Sequence, residues 1–181
     1  MISLLWLLAQ AAGPVTAPAP APAAPWTLVE RPGQAPGTGS TSAAASVAGG
    51  RLVVRCDRVG ASVLSIQFIP REPLRGFGQQ PVSLQFDGGT PLIDNWELMG
   101  AGAVEREEHA ATTLSDGIAH ARAIRLRTID RMGAPVDLAF AGPASDATLR
   151  RVVAACGQTL GVMPSAPAPA STPAPAAPPP S

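Results

Sequence analysis

Residues 51–69 read RLVVRCDRVGASVLSIQFI, and their alternation decides the fold class. In 51–57, Leu52, Val54 and Cys56 share one face, while Arg51, Arg55 and Asp57 share the other. A short turn follows at 58–61 and contains Gly60. From there Leu64, Ile66 and Phe68 fall on one face, with Ser65 and Gln67 opposite. A period of two with one apolar face predicts half-buried strands, here paired as a hairpin. The pattern continues downstream. Residues 70–81 hold three prolines with Gly76 and Gly78, a loop signal. PVSLQF (81–86) puts Val82, Leu84 and Phe86 on one side, and Asp87-Gly88-Gly89 is a hairpin turn signal. PLIDNWELM (91–99) is apolar on both faces and predicts a buried or bulged strand, with Trp96 as its largest core residue. IRLRTID (124–130) and PVDLAF (135–140) predict two strands joined through Gly133, and WTLVER (26–31) is a further candidate.

Two helices are expected. The clearer one follows Gly142-Pro143, with Ser145 as N-cap and Asp146 at the positive end. Leu149, Val152, Val153 and Cys156 then recur at helical spacing, and Gly157 supplies a stop. The other spans about 114–123, with Ser115 as cap and Ile118 and Ala121 inward. The order predicts an α+β domain: an antiparallel sheet of five to seven strands with one or two helices packed on one face.

The chain has 181 residues, enough for one domain. Its formal net charge is zero, which argues against nucleic acid as a partner. No apolar run reaches the ~18 residues of a membrane-crossing helix, so no transmembrane segment is expected. Fifteen of the 21 prolines lie outside 51–157, while 24 of the 26 charged residues and all four phenylalanines lie inside it. The domain is therefore placed at 26–157, with 51–157 its best-defined part. Pro/Ala-rich segments at 13–25 and 158–181 are expected to be disordered, because they offer no apolar face to offset ordering entropy. All 13 basic residues are arginine, which fits a GC-rich coding bias. Residues 2–13, ISLLWLLAQAAG, have the length of a secretory h-region and end in Ala9-Gln10-Ala11. A signal peptide at 1–12 and a periplasmic or secreted location are expected.

Catalytic chemistry is sparsely represented. His109 sits in EREEH and His120 on the weaker helix, and both read as surface residues. No Gly-x-Ser-x-Gly elbow, His-Glu-x-x-His pair or phosphate loop occurs. No catalytic residue, metal site or cofactor is therefore expected. Asp87 and Asp94 are the acids an alternative reading would use, that of a small envelope hydrolase or small-ligand-binding protein. Arg51, Arg55, Arg125 and Arg127 form a patch only if their strands are neighbours. Otherwise they pair with carboxylates such as Asp57, Asp130 and Glu97. Cys56 and Cys156 each lie on an inward face. In an oxidising compartment they are expected to form a disulfide tying the last helix to an early strand.

The segment Leu52-Val53-Val54-Arg55-Cys56, the run VSLQFDGGTPLIDNW leading to Trp96, and the late VVAAC ending at Cys156 form a pattern. Over 51–157 it resembles the periplasmic accessory proteins associated with type VI secretion systems. The resemblance implies Arg55, Cys56, Asp87, Trp96 and Cys156 as framework positions. It implies an exported, non-enzymatic accessory or protein-interaction role in a bacterial cell envelope, with a protein or cell-wall component as partner.

Overall fold

The computed structural model describes residues 25–74, 77–130 and 132–165. The expected signal peptide at 1–12, nearly all of the 13–25 linker and the tail from 166 onward lie outside the described residues.

Nine strands form one antiparallel sheet: β1 (Thr27–Pro32), β2 (Gly39–Val47), β3 (Gly50–Val59), β4 (Ala61–Pro70), β5 (Gln79–Phe86), β6 (Leu92–Met99), β7 (Gly102–Glu105), β8 (Ala123–Ile129) and β9 (Pro135–Ala141). Two helices, α1 (Glu108–His120) and α2 (Ala147–Ala155), complete an α+β fold. The spatial order is β1-β2-β3-β4-β7-β6-β5-β8-β9. Nine strands exceed the expected five to seven. The two unforeseen strands carry weak local signals. β2 is GSTSAAASV, without a large β-former, and β7 is only four residues long.

The β3–β4 hairpin sets the register of the core. Leu52, Val54 and Cys56 lie opposite Phe68, Ile66 and Leu64, and all six are at most 4% exposed. On the other side of β3, Ala45 and Ala43 oppose Leu52 and Val54. These small side chains let α2 lie close over β2 and β3, where it buries Leu149, Val152 and Val153. Across the sheet, Leu84 opposes Leu126, and Ile124 opposes Phe140. Both helices add to this one core, through Ala111, Leu114 and Ile118 of α1 as well as the α2 stripe.

The sheet coils until β9 comes back against β2. Side chains close this approach. Trp26 Nε1 donates to the Ala141 carbonyl at 2.9 Å. The end of the Leu138 side chain packs over Gly49, 2.4 Å from where a Cβ there would stand, so a larger residue at 49 would have to displace it.

Both helices start differently from expectation. α1 begins six residues early, because the Glu107 carboxylate accepts the His109 and Ala110 N–H groups and provides the cap. Those two donors hold the Glu107 carboxyl below its ordinary pKa. Ser115, the expected cap, is fully buried in mid-helix, with no hydrogen-bond partner for its hydroxyl among the described residues. In α2 the cap position is Asp146, not Ser145, and its carboxylate binds Arg150 one turn on. After α2 the chain makes a turn at 160–161 that places Leu160 in the core. The folded part thus runs past the 157 boundary drawn from composition.

Candidate functional site

The short β7 shapes the site. It pairs with β6 only over Glu97–Met99 and with β4 only over Ile66–Phe68. The chain then turns into α1. Residues 92–96 of β6 are left with β5 on one side and, among the described residues, no strand on the other. This explains a departure from the buried half of the expectation, a buried or bulged strand. Within β6 only Trp96 is buried, while Leu92 is 42% and Ile93 72% exposed.

Beside this open edge lies a groove of about 220 Å³ between β5–β6 and α1. Val82, Leu84, Leu92, Trp96 and Leu114 give it apolar walls, and Asp94 is its single charged lining residue. Trp96 is 1% exposed and forms one wall of the groove. Asp94 forms no ion pair among the described residues. Its Oδ1 accepts the N–H of the next residue, Asn95, at 2.7 Å. A second acid stands near. Glu105, at the end of β7, is 6% exposed and its Oε1 accepts the Glu107 N–H at 2.7 Å. Burial pushes the Glu105 carboxyl above its ordinary pKa, and the Asp94 charge acts in the same direction. The groove is thus an apolar slot with one carboxylate, that of Asp94, in its lining.

The other candidate residues lie elsewhere. Asp87 sits in the β5–β6 turn with φ 49°. Its Oδ1 accepts the Arg122 and Ala123 N–H groups at 2.9 and 2.8 Å, clamping the junction between α1 and β8. It is not among the groove's lining residues, so Asp87 and Asp94 do not converge on one pocket. Asp87→Ala is expected to lose about 1–3 kcal/mol in urea unfolding, since two donors lose a charged acceptor and alanine resists positive φ. Asp87→Asn, which keeps an acceptor and tolerates that φ, should lose clearly less.

Arg55 binds Asp57, its neighbour two residues on along the same face of β3, through Nε and Nη2 at 2.7–2.9 Å. Arg125 and Arg127 both reach Asp137 on β9, and the Arg125 contact holds that carboxyl below its ordinary pKa. Glu97 pairs with Arg106. In the sheet β3 and β8 are not neighbours, so the four arginines form no single patch. His120 is exposed and sits over Asp116 of its own helix. Among the described residues no group of three or more His, Cys, Asp or Glu side chains converges as a metal site, and no helix is long and apolar enough to cross a membrane.

Cys56 and Cys156 form a disulfide, with S–S 2.16 Å and Cα–Cα 5.6 Å. It fastens the C-terminal end of α2 to the middle of β3. Comparison with protein-family models, with curated proteins and with solved structures finds no match.

Sequence reasoning identified Asp94 and Trp96 individually but not the groove. Its other wall comes from α1, which was expected to start beyond Ala110 and Thr113. The only local hint was the two-sided apolar character of 91–99.

Proposed function

We propose that this chain is an exported, non-enzymatic accessory domain of a bacterial cell envelope that binds a protein partner through the α1–β6 groove. The observation that carries this reading is an apolar groove beside an unpaired strand edge, with Ile93 exposed next to it. Contiguous exposed apolar surface of this kind marks interaction sites in monomeric folds. The disulfide supports an oxidising compartment. The pattern of Leu52–Cys56, Asp87, Trp96 and Cys156 supports a link to secretion-system accessory proteins. For the alternative, a small envelope hydrolase or small-ligand-binding protein using acids near Asp87 and Asp94, joint use of the two acids is disfavoured by the commitment of Asp87 to the Arg122 and Ala123 amides.

A photo-cross-linking residue at Ile93, expressed in the native host, tests the reading. It should yield a discrete adduct with an envelope protein. The same label at Met132, which is 78% exposed on the β8–β9 turn, should not. Equal labelling from both positions, or none from Ile93, would overturn the assignment.

A further inference from the structure

The groove and the open edge are two halves of one feature. Strand β7 runs antiparallel to β6, with Val104 opposite Glu97. Continuing that register places Glu105 level with Trp96. The chain then leaves the sheet, and the positions opposite Asn95 to Leu92 have no strand among the described residues. The direction of the peptide groups follows from one backbone hydrogen bond. Leu98 N–H donates to Gly78 on the β5 side. Alternation therefore turns the peptide groups of Asn95 and Ile93 toward the open edge. Among the described residues the Asn95 N–H donates to the Asp94 carboxylate alone.

We propose that the open edge of β6 accepts an extended peptide as an added strand, with a lysine or arginine of that peptide on Asp94 and an apolar side chain in the groove. The inference rests on the partner-binding reading above. A carbonyl of the incoming strand takes the Asn95 N–H. The Asp94 carboxylate, released from that bond, meets the incoming cation at the same step. Leu92, Asp94 and Trp96 share the groove face of β6, so alternate residues of the added strand point there. Charge complementarity selects the cation, because Asp94 is the groove's one charged lining residue and has no basic partner among the described residues. Two other occupants fit poorly. The chain's own residues 164–181 carry no charge and eight prolines, which lack ladder N–H groups. Antiparallel edge-to-edge pairing of β6 with a second copy, in the register centred on Asp94, sets Asp94 opposite its equivalent, a like-charge contact.

The test uses the full-length oxidised chain and amide NMR. The probes are acetyl-Lys-Thr-Leu-Thr-Leu-amide, its Glu-Thr-Leu-Thr-Leu counterpart, and the lysine peptide N-methylated at both threonines. The lysine peptide should give saturable shifts at Ile93–Trp96. The glutamate peptide should bind about tenfold more weakly or worse, since like charges oppose. Backbone methylation should abolish binding, which burial of the side chain alone would not predict. In Asp94→Asn the lysine preference should collapse to less than about threefold. Equal binding of the two charge variants, tolerance of N-methylation, or no saturable shift at 92–96 would each overturn strand addition. If the peptides fail while the Ile93 cross-link persists, strand addition is wrong and partner binding stands. If both fail, the functional reading itself falls.

Discussion

Cys156→Ser should lower the unfolding free energy by up to ~4.7 kcal/mol, the chain-entropy value for a loop of about 100 residues, and real bridges often deliver less. The disulfide spans a sequence separation of 100 and is the covalent link between α2 and the rest of the core. A domain of this size has a typical total of roughly 5–15 kcal/mol, so the loss is a large share. Cys56→Ser should cost a similar amount, with an added penalty for placing a hydroxyl at a fully buried position. The double variant should be little worse than Cys56→Ser alone, because each single change already removes the whole bridge. Urea unfolding of the four proteins measures this, beside wild type with and without dithiothreitol. Clearly additive losses would mean that the two cysteines act independently. Thiol titration of denatured, unreduced protein should find no free sulfhydryl.

Trp96→Ala is expected to cost about 3–5 kcal/mol, the range for removing a large aromatic from a core. Trp96 is the largest of the fully buried side chains and forms the wall where the groove meets the core. Its neighbours come from β5 and α1, so a cavity there can close only by shifting a strand against a helix. Trp96→Phe should recover much of the loss. Trp26→Ala is the useful contrast. Trp26 is only half-buried and contributes one hydrogen bond to Ala141, so its replacement should cost clearly less. Thermal unfolding with the disulfide intact separates the two. Equal losses at Trp26 and Trp96 would contradict the assignment of the core to the face shared by the helices.

Much of this architecture is legible in local spacing. The alternation in 51–69 gives the β3–β4 hairpin, its inward face and the direction in which Cys56 points. The spacing of Leu149, Val152 and Val153 gives the buried stripe of α2, and with it the side from which Cys156 approaches. These features are signalled by the spacing of apolar residues two to four apart, and any short window contains that information.

What the tertiary structure decided lies beyond such windows. Strand β2 is a strand because β1 and β3 flank it and α2 needs small residues beneath it, and nothing in GSTSAAASV announces either neighbour. Helix α1 starts at the Glu107 cap because β7 ends at Glu105, and β7 exists only by wedging between β4 and β6. The same wedge, too short to cover β6, leaves the edge and the groove open. Asp87 reads as a turn residue in sequence, yet its acceptors serve amides 35 and 36 residues away. Arg125 and Arg127 find Asp137 rather than Asp130 because the β8–β9 register puts Arg127 directly opposite it. The division has a physical cause. Side-chain periodicity is fixed by backbone geometry within a few residues, whereas strand partners, caps and pockets are chosen by burial and hydrogen bonding between segments far apart in the chain.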